Sequence, residues 1–132
     1  MILGFLKGFN VNGRRKETDF ENKIKKGIKL HTIRVDGKNR WRKGMKIHFA
    51  TGNRTPQYNC FKEGVCTGTQ TIEIRDHYSV LIGGRMQTND QIQDIAINDG
   101  FDTIEDFWAW FDQYTPFTGK IIHWTNIRYD EF

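Results

Sequence analysis

The 132-residue sequence predicts an α+β domain built on a mixed or antiparallel, barrel-like sheet flanked by about three helices. Three observations carry that expectation. Several segments alternate apolar and polar side chains with the period of two that half-buried strands show. Others place apolar residues at helical spacing directly behind capping residues. The two kinds follow one another in the order strand, helix, several strands, two helices, strand.

Residues 1 to 7, Met-Ile-Leu-Gly-Phe-Leu-Lys, are read as the opening strand, because the apolar run is too short and too poorly flanked for a secretion signal or a membrane span. Thr18-Asp19-Phe20-Glu21 has the form of a capping box, with Phe20 and Ile24 as the buried stripe of the helix behind it and Gly27 as its terminator. The β-rich stretch 30 to 35 leads into an Asp36-Gly37 turn. Strands are expected at 45 to 50, within 65 to 74, and at 77 to 82, the last running up to a Gly83-Gly84 turn. A second capping box, Thr88 to Gln91, starts a helix that buries Ile92, Ile95 and Ala96 and stops at Gly100. A third helix, capped by Asp102 or Thr103, buries Ile104, Phe107, Trp108 and Phe111, leaves Trp110 more exposed, and fades before Pro116. Residues 119 to 124 supply the closing strand. With no repeat or linker, residues 1 to 132 are read as one domain.

Only 37% of the residues are hydrophobic, yet 10 Phe, 4 Trp and 4 Tyr exclude a disordered chain and point to a small aromatic core. The net charge of +4 conceals a division. Residues 1 to 66 carry 16 Lys+Arg against 5 Asp+Glu, whereas residues 67 to 132 carry 4 against 11. A basic face follows, suited to an anionic partner such as single-stranded RNA or a nucleotide; the intramolecular alternative is that the two halves attract each other. Cys60 and Cys66 are expected reduced, as half-buried strand residues of a cytoplasmic protein. To hold zinc they would need two of His31, His48, His77 and His123, so no metal or other cofactor is expected.

The densest polar run is Gly27-Ile28-Lys29-Leu30-His31-Thr32-Ile33-Arg34, at the passage from helix to strand. Within one regular strand Lys29 and Thr32 face opposite ways; they converge if Lys29 still belongs to the turn. A desolvated Lys loses pKa and becomes a general base, which a Thr hydroxyl needs to act as a nucleophile. Equally, Lys29 and Arg34 could hold phosphate while Thr32 donates one hydrogen bond. In Arg40-Trp41-Arg42-Lys43 cations flank an indole, a pattern suited to stacking on a base and meeting phosphates, although Trp41 could also cap the core. Thr51, Gly52 and Arg54 offer loop donors to a ligand but lack the lysine of a P-loop. His48 and His123 are read as satisfied sheet residues.

Gly27-x-Lys29-x-x-Thr32-x-Arg34 resembles the Gly-x-Lys-x-x-Glu-x-Arg hallmark of the ASCH domains in the PUA-like superfamily, with Thr in place of Glu. The resemblance runs from the opening strand through Gly44-x-x-Ile47-x-x-x-Thr51-Gly52 to the final strand. Thr at that position is also what the family's small bacterial N(4)-acetylcytidine amidohydrolases carry, where Lys and Thr are catalytic with a downstream Glu; Asp99 falls nearest to that Glu. The resemblance implies a PUA-like barrel that binds RNA or nucleotides in a basic-rimmed pocket, with or without hydrolase activity. It also implies, as an alternative, an amidohydrolase that deacylates N(4)-acetylcytidine through Lys29, Thr32 and Asp99. Ribonuclease activity is a further expectation from the family, and a protein-interaction module of a phage or mobile element is a third class of function. No membrane partner is expected.

Overall fold

The computed structural model describes residues 1–77 and 79–132; Tyr78, inside the strand expected at 77 to 82, lies outside the described residues. Its architecture is α+β, with three sheets and three α-helices. Strand β1 (Ile2–Phe5) pairs in parallel with β5 (Lys46–Thr51), which pairs antiparallel with β6 (Asn59–Val65). The larger sheet has the order β4 (His31–Arg34), β10 (Phe117–His123), β7 (Gly68–Asp76), β8 (Ser79–Ile82), β9 (Arg85–Met86), all antiparallel. A hairpin of β2 (Gly8–Val11) and β3 (Arg14–Glu17) forms the third. The strands are therefore mixed, as expected.

The expected barrel does not close. β1 ends the three-stranded sheet and β4 ends the five-stranded one, and among the described residues no ladder joins them. Side chains fill that seam instead: the Arg34 guanidinium of β4 donates through Nη2 to the Gly4 carbonyl of β1 at 2.6 Å. A strand edge left without a partner must satisfy its carbonyls some other way, and here a cation does so.

The helices form for reasons that differ in kind. Helix α2 (Asn89–Asn98) begins with the expected capping box, Thr88 Oγ1 accepting from the Gln91 amide at 3.2 Å while Gln91 Oε1 accepts from the Thr88 amide at 2.7 Å. Helix α3 (Ile104–Phe111) is capped by Thr103, not Asp102, and runs into a 3₁₀ turn, Asp112–Tyr114. Helix α1 (Phe20–Lys25) has no capping box. Asp19 occupies the cap position with φ 54°, and the Thr18 hydroxyl donates across the chain to the Leu6 carbonyl at 2.7 Å while its amide bonds Lys7 O. Tertiary pairing takes from the box only the Thr18 amide, which Glu21 would otherwise accept from; the Thr18 hydroxyl still accepts from the Phe20 amide at 3.4 Å. Glu21 is left to pair with Lys25, one turn on.

The hairpin β2–β3 is missing from the sequence reading. Its Asn12-Gly13 corner, at φ 52° and 77°, is the left-handed pair that a two-residue hairpin turn demands. Its strands, however, lack alternation: Arg14 to Glu17 is polar throughout. The strand expected within 65 to 74 also resolves into the end of β6 and the start of β7. Cys66 is fully buried and Cys60 exposed, so neither is half-buried as expected. Among the described residues no helix is long and apolar enough to cross a membrane.

The core joins both large sheets to all three helices, with Phe49, Ile72, Ile95, Phe107 and Ile121 fully buried. Trp41 is packed into it at 8% exposure. The loop carrying that ring is held by Asp36, whose carboxylate accepts from the amides of Arg40 (2.8 Å) and Trp41 (3.0 Å) and from Lys120 Nζ (3.2 Å).

Helix α1 ends in a Schellman motif. The Ile28 amide bonds Lys23 O at 2.8 Å, the Gly27 amide bonds Ile24 O at 3.2 Å, and Gly27 takes φ 73°. A Cβ on Gly27 would meet no atom within 4 Å. Gly27→Ala should therefore cost only the left-handed backbone penalty, roughly 1–2 kcal/mol, seen as a drop of several degrees in the melting temperature. An unchanged melting temperature would show that the turn does not depend on glycine.

Candidate active site in the sheet seam

The Schellman turn decides where Lys29 goes. Its amide bonds Lys23 O at 3.1 Å, so Lys29 still belongs to the helix-ending turn, and β4 begins only at His31. That frees Lys29 from strand alternation. Its side chain crosses to the end of α2, where Nζ donates to the Asp99 carbonyl at 2.5 Å and lies 3.5 Å from Asp99 Oδ1. The ammonium sits 4.3 Å from the Phe20 ring centroid and 5.7 Å from that of Phe5. A cation at a helix C-terminus meets the negative end of the helix dipole, and an aromatic face adds to that attraction.

Gly100 makes room for the lysine. A Cβ there would stand 3.0–3.1 Å from three carbons of the Lys29 stem, and the residue has φ 95°. Thr32, 5% exposed, and Arg34 lie two apart on β4 and so share a face. Arg34 Nε donates to Thr32 Oγ1 at 3.3 Å. Asp99 Oδ1 has a second partner, His31 Nδ1, at 3.0 Å.

Lys29, Thr32 and Asp99 line one cavity of about 240 Å³ in the seam between β1 and β4, together with Arg34 and the rings of Phe5, Phe20, Phe101, Trp110 and Phe111. The three residues singled out in the sequence thus share one cavity. Its exposed lining residues are Leu6, Val35 and Tyr114, so the mouth is apolar where a basic rim was expected. Arg40, Arg42 and Lys43 are exposed and lie outside this lining. Trp41 is core and presents no free face to a base, because its ring is covered on folding. Thr51 is buried, Arg54 is exposed at φ 64°, and Gly52 lines a shallower groove that Arg34 shares with Asn53 and Thr55.

Part of the charge division is spent inside the fold. Lys16 pairs with Asp102 (3.0 Å) and Asp106, Lys23 with Asp102 (2.8 Å), and Lys29 with Asp99, each joining the basic half to the acidic half. Burial brings Lys29 down to about 8, with Arg34 and Lys23 pushing the same way and Asp99 opposing. Near neutral pH a useful fraction of Lys29 is therefore the free amine. Burial also lowers Arg34, opposed by Asp99. An N–H donated to Thr32 Oγ1, as Arg34 provides, is a contact that would favour negative charge on that oxygen.

Behind the cavity wall lies a polar network that sequence reasoning missed. His31 Nε2 and the Tyr129 hydroxyl are 2.5 Å apart, and Asn98 Nδ2 donates to the same hydroxyl at 3.1 Å. His31 stood inside the motif, but Tyr129 belongs to a terminal segment without periodicity, where no local pattern marks it. His123 Nε2 donates to Gln70 Oε1 at 3.0 Å, and its Nδ1 has no hydrogen-bond partner among the described residues. Among those residues no group of three or more His, Cys, Asp or Glu is placed to hold a metal ion. Comparison with family models, curated proteins and solved structures finds no match to this chain.

Two outcomes follow from this geometry. Burial, with His31 and Arg128 adding to it, drives His123 down to about 3, against about 6.5 in an unfolded chain. The unfolded state then binds more protons between those values, so stability falls as pH drops below about 6.5, by up to about 1.4 kcal/mol per pH unit for this group. Urea midpoints should fall between pH 7 and pH 4, and less steeply in His123→Phe; equal slopes would locate the acid sensitivity elsewhere. Gly100→Ala should lower stability more than Gly27→Ala, by roughly 2–3 kcal/mol, since contact with the Lys29 stem adds to backbone strain. Equal urea midpoints for the two variants would mean that the lysine stem yields freely.

Proposed function

We propose that the chain is an ASCH-like, PUA-like amidohydrolase whose cavity takes the ring of an acylated cytidine-type nucleoside and cleaves its exocyclic amide. The observation that carries this reading is the convergence of Lys29, Thr32 and Asp99 on one aromatic-walled cavity. A planar heteroaromatic ring suits such walls, and a lysine brought to about 8 by burial suits the base.

In this reading the Lys29 amine takes the Thr32 hydroxyl proton as Oγ1 attacks the acetamide carbonyl. Arg34 Nε steadies the oxygen before attack, at the 3.3 Å it already keeps. As the C–N bond breaks, the Lys29 ammonium returns the proton to the departing ring amine, leaving acetyl on Thr32 for hydrolysis by water. Asp99 Oδ1 faces two donors, His31 Nδ1 and Lys29 Nζ, which suits it to orienting the lysine and the water more than to giving up a proton.

The unmodified protein should release cytidine and acetate from N(4)-acetylcytidine. Lys29→Ala and Thr32→Ala should each lower kcat by at least about 10², while Asp99→Asn should chiefly alter the pH profile. The rate should climb with pH to a plateau above about 8 as Lys29 loses its proton. Absence of turnover across a panel of acylated nucleosides would sink the reading.

A second reading, binding of RNA or a nucleotide without chemistry, is favoured by one observation: Arg34 lines both the cavity and the groove beside Gly52, Asn53 and Thr55, a path along which a sugar-phosphate could leave the ring. Single-stranded RNA should then bind with affinity that falls as salt rises. If the Arg40–Lys43 loop also touches the strand, replacing Arg40 and Arg42 together by Ala should flatten the log-log salt slope by about two phosphate contacts. An unchanged slope would remove that loop from the interface.

A further inference from the structure

The hydrogen bonds around His31 have only one consistent set of directions. Asp99 Oδ1 is the partner of His31 Nδ1, and a carboxylate accepts, so Nδ1 carries the proton. His31 is fully buried, and burial keeps it neutral. Nε2 is then a lone pair, and the Tyr129 hydroxyl must donate to it. Asn98 Nδ2 in turn donates to the Tyr129 oxygen. The chain runs from Asn98 through Tyr129 and His31 to Asp99, each step polarising the next in one direction.

The distances at Asp99 show what this chain accomplishes. Oδ1 is 3.0 Å from His31 Nδ1 but 3.5 Å from Lys29 Nζ, which makes its short bond to the Asp99 backbone carbonyl instead. The carboxylate is shared, and the histidine has the better part of it. Other charged and titratable groups around the lysine are Arg34 on β4 and Lys23 on α1, with the Phe5 and Phe20 rings against the ammonium. His123 stands edge-on to His31 at 5.3 Å, and Asp94 acts on Tyr129.

Tyr129 is held firmly although it follows the last strand. Residues 124 to 132 form a strap without regular structure: Gln70 bonds both the Tyr129 amide (3.1 Å) and its carbonyl (2.9 Å), Gln87 and Gln91 hold Asp130, and Arg128 grips Thr67 O. We propose that His31, locked in one tautomer by the Tyr129 hydroxyl of this strap, is a positioning residue that draws the Asp99 carboxylate away from Lys29 and so keeps the lysine proton mobile. The C-terminal segment is thereby part of the working site without lining the cavity. This rests on the reading of Lys29 as a base, yet its test needs no substrate.

The test is an NMR titration of the full chain carrying ¹³C-labelled lysine, with the Lys29 signal assigned by its absence from Lys29→Met. Native protein should titrate Lys29 near 8. His31→Leu, which removes the competing donor, should raise the midpoint by about half a pH unit or more. His31→Asn places an amide N–H where Nδ1 stood and should restore a midpoint close to native. Tyr129→Phe keeps the ring packing and should give a smaller rise. A folded His31→Leu with an unchanged or lowered midpoint overturns the proposal. If that variant fails to fold, Tyr129→Phe decides, and an unchanged or lowered midpoint there overturns it too. Native titration near 8 without turnover of any acylated nucleoside would instead remove the amidohydrolase reading and leave the role of His31 standing.

Discussion

Burying one ammonium group organises this molecule. Lys29, at 1% exposure, would be costly to charge in a hydrocarbon setting, and its surroundings are arranged to lessen that cost. The C-terminal carbonyl of α2 accepts from it, Asp99 faces it, two aromatic rings lie against it, and Gly100 clears space for its stem. The compensation is incomplete, so burial still brings the lysine down to about 8. Full neutralisation by a dedicated carboxylate would make a stable but chemically inert ion pair. Sharing that carboxylate with His31 leaves the lysine without a counter-ion of its own.

The unclosed seam between β1 and β4 belongs to the same logic. A continuous barrel would pair the two edges by backbone hydrogen bonds and leave no opening there. With the ladder absent, the Arg34 guanidinium spans from β4 to the Gly4 carbonyl and also reaches Thr32. One side chain thus closes the sheet edge, steadies a hydroxyl and lines the cavity. Its partial burial accompanies an apolar mouth formed by Leu6, Val35 and Tyr114. The opening itself is apolar, and the exposed cations of the 40 to 43 loop lie outside its lining.

Charge division along the chain has two physical outcomes that composition cannot separate. Lys16, Lys23 and Lys29 from the basic half find acidic partners at the start of α3 and the end of α2. These contacts clamp α1 and the β2–β3 hairpin onto the helical side of the domain. Of these, the Lys16–Asp102 pair is exposed on both sides and contributes little stability, so its use lies in register and placement. Arg40, Arg42 and Lys43 remain at the surface, where their field acts on solution partners.

What was legible in the sequence was local. The Thr88–Gln91 capping box, the glycine stops at 27 and 100, the alternation of β5 and the helical stripe of α3 depend on residues within a few positions of one another, and local hydrogen bonding and burial suffice to specify them. That Lys29 and Thr32 could line one cavity was legible too, because a single glycine places the lysine in a turn and out of the strand. Tertiary structure decided the rest. The capping box at Thr18 stayed incomplete because Lys7 O took the amide that Glu21 would have accepted from; Trp41 became core because Asp36 folded its loop inward; and the sheet stayed open because a guanidinium took the place of a ladder. Tyr129 joined the site only through contacts 98 residues away at His31 and 31 away at Asn98. Such contacts leave no periodic trace, since a hydrogen bond between distant segments constrains two residues and nothing between them.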